Sequence, residues 1–123
     1  MTIESLLIYI LLLHFLADFA LQTHGQATGK GEGKSFFNKW LFYHVSTYSL
    51  VWLIGSYILM NDYRCLIFFG ITFVSHYVTD WFTSRIGKPF WHNNDYHNGF
   101  VVVGFDQILH YLQLYFTFKF LLS

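Results

Sequence analysis

Four apolar stretches, each about 20 residues long, dominate this sequence. They cover residues 3–22, 41–60, 64–84 and 100–121. An apolar run of about 20 residues is long enough to cross the hydrocarbon core of a bilayer as a helix. The composition agrees, because 54% of the residues are hydrophobic and only 11% are charged. We therefore expect an all-α, polytopic membrane protein in which residues 1–123 form a single four-transmembrane-helix bundle.

The start of the chain and its one cysteine narrow the possibilities further. The first apolar stretch has no basic segment before it and no small-residue cleavage pattern after it, so we expect a retained helix rather than a signal peptide. Cys65 is the only cysteine. An intrachain disulfide and a thiolate metal cluster are therefore excluded.

The glycine and lysine run at 29–35, GKGEGKS, is similar to a phosphate-binding loop. That motif requires glycine at the position of Thr28, and it follows a strand, which this chain does not offer. We instead expect residues 23–40 to form a mobile basic loop beside anionic lipid head groups. No nucleic acid partner is expected.

Charges in the short connecting segments predict the orientation of the chain. With four spans, the segments 23–40 and 85–99 lie on one side. They carry five cations, Lys30, Lys34, Lys39, Arg85 and Lys88, against Arg64 and Lys119 on the other side. Because lysine and arginine collect on the cytoplasmic side, we expect a multi-pass protein of the bacterial inner membrane with both termini in the periplasm.

Two helix-breaking sequences set the expected end of the third helix and the expected start of the fourth. The sequence Gly87-Lys88-Pro89 predicts that the third helix ends near Arg85, because proline does not continue a helix. The fourth helix is then expected to start after Gly99. The intervening residues His92, Asp95 and His97 could line the mouth of a site.

Histidines and aspartates recur inside the apolar stretches at helical spacing. Three of the four stretches carry a His/Asp pair four residues apart, which places both side chains on one face of a helix. The seven residues are His14, Asp18, His44, His76, Asp80, Asp106 and His110. All lie within the half of the bilayer nearer the basic segments, on the order of 5–15 Å from those helix ends. No lysine or arginine lies among them, so the carboxylates need histidine, a metal or a proton.

This set of side chains predicts a divalent metal site. Four imidazoles and three carboxylates exceed the needs of one tetrahedral ion and suit a dinuclear site. The absence of sulfur favours Zn, Mn or Fe. The expected metal ligands are His14, Asp18, His76, Asp80, Asp106 and His110, and the expected catalytic groups are His44 and Asp106. Gln22, Gln107 and Gln113 are candidates for supporting hydrogen bonds.

The two halves of the chain are similar to each other. HFLADF at 14–19 matches HYVTDWF at 76–82 in residue type and spacing, and the histidine of FYH at 42–44 corresponds to that of ILH at 108–110. Each half contains two helices, so both halves have the same orientation. We expect a tandem two-helix pseudo-repeat about an axis along the membrane normal.

These motifs also resemble a known family. HFLADFALQ, an isolated histidine on the second helix, HYVTD and FDQILH resemble a family of small bacterial and phage membrane proteins of unknown function. The family's two motifs, HxxxDFxxQ and DQxxH, fall on His14, Asp18, Phe19 and Gln22 and on Asp106, Gln107 and His110. The resemblance covers nearly the whole chain and implies little about activity. A distant similarity of layout links the pattern to membrane-bound metal-dependent hydrolases.

Three functions remain open at this point. The first is a metal-dependent hydrolase that opens to the cytoplasm and cleaves a phosphoester or lipid-head-group bond of an anionic small molecule or lipid. The second is a proton or metal-ion pathway. The third is a non-enzymatic membrane protein of phage type that binds a host component. In all three hypotheses the lipid bilayer is a partner, and the sequence is compatible with a homo-oligomer.

Overall fold

The computed structural model describes residues 1–123 and is entirely helical. Its elements are α1 (Ile3–Phe15), a π-helical turn (Leu16–Ala20), α2 (His24–Gly29), α3 (Lys39–Met60), α4 (Arg64–His92) and α5 (Tyr96–Leu122). No strand is present. The prediction of an all-α fold is confirmed, and the four predicted long helices correspond to α1 with its π turn, α3, α4 and α5.

Two of the helical segments have the length and composition of a membrane span. These are Ile3–Ala20 and Arg64–His92. Helices α3 and α5 are long enough, with 22 and 27 residues. Their serine, threonine, tyrosine and glutamine side chains lower their mean hydropathy below that of a span. The four-span arrangement and its orientation stay predictions.

The four long helices pack around one interior. Helix α3 packs on α4, α4 packs on α5, and α1 with its π turn contacts both α3 and α5. Half of this interior is apolar and centres on Trp52, Phe68 and Phe118, which are fully buried. The other half, nearer the α2 segment, contains the histidines and aspartates. The bundle therefore separates an apolar half from a polar layer.

The π turn begins two residues after His14 and contains Asp18. Its bond from the Leu21 N–H to the Leu16 carbonyl, 3.0 Å long, spans five residues instead of four. Such turns add a residue to the helix and occur often at functional sites. His14 and Asp18 remain in contact, with 3.4 Å between His14 Nε2 and Asp18 Oδ2.

Helix α4 runs past the proline at which it was expected to end. Pro89 lies inside the helix, and the cap is Asn93, whose N–H donates to the Pro89 carbonyl at 3.1 Å. A proline in the last turn removes one intrahelical hydrogen bond. Packing compensates, since the Trp91 ring lies so close to Gly99 that any Cβ at that position would approach it to 2.8 Å. Both expected boundaries were wrong, because α5 also starts earlier, at Tyr96.

The segment between the first two long helices is folded onto the bundle. Thr23 and Gln26 form a reciprocal capping box at the start of α2. The Asn38 side chain donates to the carbonyls of Gly29 (2.9 Å) and Glu32 (3.0 Å). The expectation of a mobile loop was wrong, because side chains satisfy the backbone groups that glycine would otherwise leave free.

One arginine fixes this segment to α4. The Arg85 guanidinium donates to the carbonyls of Glu32 (3.1 Å) and Trp81 (3.0 Å), and it reaches those of Lys30 and Ser35 at 3.4 Å. It also lies over the Trp81 ring, 4.1 Å from the centroid. Arg85 therefore sets the position of residues 30–35.

Candidate metal centre

The seven histidines and aspartates predicted from the sequence form one buried layer. Each is at most 9% exposed. The two halves contribute equivalent contacts, because His44 Nε2 lies 2.9 Å from Asp18 Oδ1 and His110 Nε2 lies 2.9 Å from Asp80 Oδ1. The pseudo-repeat as a whole stays a prediction.

Four of these side chains converge on one point. One atom each of Asp18, His44, His76 and Asp80 lies within 4.8 Å of the other three, and this group is named the tetrad. The tetrad could hold a divalent metal ion. Two histidines and two carboxylates are a common donor set for such ions.

The distances within the tetrad match a tetrahedral site. The histidine-to-carboxylate distances are 2.9 and 3.3 Å for His44 and 3.5 and 3.3 Å for His76, and the two Nε2 atoms are 3.2 Å apart. Ligand bonds of about 2.0–2.1 Å in a tetrahedron place the ligand atoms about 3.3–3.4 Å apart. Two imidazole nitrogens and two carboxylate oxygens facing one another at this spacing fit an ion.

The outer nitrogens of the two tetrad histidines depart from the usual pattern. The Nδ1 atoms of His44 and His76 are buried and have no hydrogen-bond partner in the protein. A metal-bound imidazole usually donates from this second nitrogen. The Tyr48 ring instead stacks on His76 with 3.8 Å between centroids, so packing rather than a hydrogen bond orients this imidazole.

A second group of ligand atoms shares Asp18 with the tetrad. It contains Asp18, Asp106 and His110. His110 Nε2 lies 3.1 Å from Asp106 Oδ2, and the Thr83 hydroxyl donates to Asp106 Oδ1 at 2.6 Å. Because a carboxylate has two oxygens, Asp18 could bridge two ions. More than one metal position is therefore available in the layer.

His14 lies beside both groups and belongs to neither. Its Nδ1 is 2.7 Å from the Tyr48 hydroxyl and its Nε2 is 2.6 Å from Gln107 Oε1. Since the Gln107 amide nitrogen faces carboxylates, its oxygen must accept from His14 Nε2–H, which leaves Nδ1 to accept from Tyr48. Both nitrogens of a neutral imidazole are thus used. A ligand role for His14 stays a prediction.

The three glutamines expected to support the site have different positions. The Gln107 amide donates to Asp18 Oδ2 (3.1 Å) and Asp106 Oδ2 (3.2 Å), so it links both metal groups. Gln22 accepts from Lys30 at 3.0 Å. Gln113 donates to Thr72 and Thr117 in the apolar half, away from the layer.

A lysine from outside the apolar stretches enters the layer. Lys30, just after α2, places Nζ 3.1 Å from Asp80 Oδ2, and its side chain is 19% exposed. The inference that no cation accompanies the carboxylates was wrong, because the folded 23–38 segment brings Lys30 inward. Burial alone would lower the pKa of this ammonium, but the Asp80 and Asp18 carboxylates outweigh burial and raise the pKa.

The three carboxylates of the layer outnumber its one lysine. Three carboxylates face one ammonium, so the layer has a net charge of −2 when its histidines are neutral. Uncompensated buried charge is costly. Two protonated histidines or one divalent ion would balance this charge.

A cavity of about 530 Å³ reaches the layer. Lys30, Thr83 and Asp106 line it on the side of the layer, and Lys88 and His92 line it farther out. Asp95 does not line it; its carboxylate caps α5 by accepting from Asn98 N at 3.3 Å. His97 is exposed and is not among the lining residues. Of the three expected mouth residues, only His92 lies there.

Sequence reasoning missed Tyr48, Thr83 and Lys30. Tyr48 lies one turn beyond His44, on the same helix face, and that spacing could have identified it. Thr83 lies three residues after Asp80. Lys30 is 50 residues from Asp80 in sequence, in a glycine-rich run without periodicity, and nothing in its surroundings indicates its partner.

The fold and this layer together define a class: small, all-helical proteins whose interior holds a His/Asp group able to bind a divalent ion. Residues 6–122 match the family model described as "Protein of unknown function (DUF3307)". The chain belongs to this family, which confirms the resemblance to a family of unknown function. Searches of the curated proteins and of the solved structures each gave no significant match.

Proposed function

We propose that this protein is a metal-dependent hydrolase embedded in the bacterial inner membrane, with a site that opens to the cytoplasm and acts on a phosphoester or lipid-head-group bond. The observation that carries the proposal is the tetrad, four buried ligand atoms at tetrahedral spacing beside a cavity. Asp18, His44, His76 and Asp80 would hold one ion, and Asp18, Asp106 and His110 a second. Zn, Mn or Fe suits this sulfur-free set of nitrogen and oxygen ligands.

The surface of the bundle supports a membrane location. Each long helix exposes large apolar side chains, such as Leu12 (69%), Ile58 (66%), Leu66 (63%) and Phe120 (71%). Apolar surface on all four helices is costly in water and suits lipid. Five lysines and arginines lie on the basic side of the molecule and would attract anionic substrates, although Lys88 at the cavity is paired with Glu32 at 3.0 Å.

Each residue of the layer has its own role in the proposed reaction. A bound divalent ion supplies Lewis acidity and lowers the pKa of coordinated water. Asp106 lines the cavity and touches His110, so it is placed to accept a proton from water that attacks a substrate there. His44 serves as a ligand or as a general base. Gln107 holds Asp18 and Asp106 in orientation through its two donated hydrogen bonds.

The ion-pathway alternative requires a polar route to the other end of the bundle. Gln113, Thr72 and Thr117 form a small polar group there. Trp52, Phe68 and Phe118 are fully buried in that half and pack against one another. This arrangement favours a site with one opening. Binding of a host component by a non-enzymatic protein stays the third hypothesis.

Hydrolysis of p-nitrophenyl phosphate by the purified, chelator-treated protein tests the proposal. We expect activity to return on addition of Zn²⁺ or Mn²⁺ and to fall about 10²–10⁴-fold in Asp106→Asn, as for loss of a proton-transfer group. His97→Ala is the matched control, because this histidine is exposed and outside the layer. The hydrolase would be refuted if the chelator-treated protein were as active as the metal-loaded protein. It would also be refuted if a His76→Ala and Asp18→Asn double variant were as active as wild type.

A further inference from the structure

The cavity beside the layer has a polar inner end and an open outer end. Along α4 it is lined by Thr83 and Gly87, both buried, and then by Trp91 and His92, both exposed. Eight residues of helix separate Thr83 from Trp91, which makes the cavity about 12 Å long. Its volume of about 530 Å³ lies within the range of small-molecule sites.

The inner end joins the cavity to the metal groups. Asp106 lines the cavity and belongs to the second metal group. Lys30 also lines the cavity, and its ammonium is 3.1 Å from Asp80 of the tetrad. A ligand that reaches this end therefore meets the Lys30 ammonium and Asp106 of the second metal group.

Charge balance identifies what kind of ligand this end accepts. With its histidines neutral, as metal ligands are, the layer has a net charge of −2, which one divalent ion cancels. A second divalent ion leaves an excess of two positive charges, close to the charge of a phosphate monoester dianion. An oxyanion next to Lys30 would restore neutrality, and lysine is a common phosphate-binding residue.

The outer end of the cavity indicates that the ligand enters from water rather than from the lipid phase. Its polar lining residues include Thr28, Lys88 and His92, at helix ends on the basic side, and Glu32, whose carboxylate lies 3.0 Å from Lys88 Nζ. In the proposed orientation this side faces water. Trp91 provides a planar apolar wall there. The apolar groove between α3 and α4, lined by Phe37, Phe42 and Phe73, shares no residue with this cavity. A lipid chain would thus find its surface elsewhere.

We propose that the cavity binds a water-soluble phosphate monoester, with its phosphate beside Lys30 and a planar or apolar body against Trp91. The proposal rests on the hydrolase function and specifies its substrate class. Lys30 is then a substrate-binding residue as well as the partner of Asp80. A lipid phosphate and free inorganic phosphate are the competing sources of the same group.

Calorimetric titration with non-hydrolysable probes tests this assignment. The probes are phenylphosphonate, inorganic phosphate and dodecylphosphonate, each added to purified protein with and without Zn²⁺. We expect phenylphosphonate to bind most tightly. Lys30→Met should weaken the binding of phenylphosphonate and of inorganic phosphate about 10–100-fold, because it removes one charge-assisted hydrogen bond to the phosphate group. Lys30→Arg should retain binding, and Lys34→Met, an exposed lysine of the same segment, should not change it.

A cavity-filling variant gives an independent test. A Cβ on Gly87 would contact Val102 at 3.4 Å and Trp91 at 3.5 Å, ordinary van der Waals distances. Because Gly87 lines the cavity, the longer side chain of Gly87→Leu would occupy part of its volume. Gly87→Leu should weaken phenylphosphonate by about tenfold or more and inorganic phosphate by a smaller factor.

The outcomes separate the two proposals. Absence of bound Zn²⁺ refutes the metal centre itself. Zn²⁺ binding with phenylphosphonate affinity equal in wild type, Lys30→Met and Gly87→Leu overturns only the substrate assignment. Tighter binding of dodecylphosphonate that Gly87→Leu does not affect would assign the ligand to the lipid phase and also overturn it.

Discussion

The pairing of Lys30 with Asp80 leads to a quantitative prediction about stability. Asp80→Asn leaves the Lys30 ammonium without its carboxylate, and breaking a buried ion pair in this way costs about 3–5 kcal/mol. We expect the lower end of that range, because the Lys30 side chain is 19% exposed and also donates to Gln22. Lys30→Met should cost less, about 1–3 kcal/mol, because three histidines remain beside Asp80.

The double variant distinguishes a pair from two separate sites. In Lys30→Met with Asp80→Asn neither charge is left alone, so the loss should be smaller than the sum of the single losses by about 1–3 kcal/mol. The assay is equilibrium unfolding of chelator-treated protein in mild detergent. Lys34→Met with Asp80→Asn is the control cycle and should be additive. Additivity of the Lys30 cycle within about 0.5 kcal/mol would refute the pairing.

Three other contacts lead to shorter predictions. Gln107→Leu removes the amide that links Asp18 to Asp106 and should weaken Zn²⁺ binding about 10–100-fold; an unchanged affinity in equilibrium dialysis would show that the amide has no supporting role. Arg85→Lys loses several hydrogen bonds to carbonyls of residues 30–35, so amide hydrogen exchange there should accelerate while α3 keeps its protection; equal exchange would contradict the role of Arg85 as anchor. Hydrogen bonds from Arg64 lower the pKa of Asp62 in the folded protein. The Asp62 carboxylate therefore stabilises the fold fully above the ordinary carboxyl pKa of about 3.9, and this stabilisation is lost only as the pH falls through the lowered pKa of the folded state. The difference in melting temperature between wild type and Asp62→Asn should therefore be the same at about pH 5 and pH 8, and a difference that changes within this window would contradict it.

Periodicity alone identified most of the layer. His14, Asp18, His76 and Asp80 occur at helical spacing in apolar runs, where ionisable residues are rare and therefore indicate a functional site. Their common depth then predicted that they would meet. The sequence could not show which nitrogens and oxygens converge, because that depends on rotamers and on the π turn after Phe15. His14 illustrates this limit, since its ring nitrogens face Tyr48 and Gln107.

The contacts that sequence reasoning missed are long-range. Lys30 reaches Asp80 because Arg85 and Asn38 hold a glycine-rich segment against the bundle, and no local pattern encodes that contact. Pro89 marks a helix end by local rules, yet α4 continues to His92 because Trp91 packs on Gly99. In both places tertiary packing outweighs local conformational preference.

Metal stoichiometry tests the central claim most directly, because Asp18 belongs to both metal groups and Asp106 to one. Equilibrium dialysis against Zn²⁺, with the bound metal measured by elemental analysis, should give up to about two ions per chain in wild type and in the His97→Ala control. Asp106→Asn should remove one ion, and Asp18→Asn should remove both. A wild-type protein without tightly bound Zn²⁺, or an Asp18→Asn variant that binds as much as wild type, would contradict the metal centre.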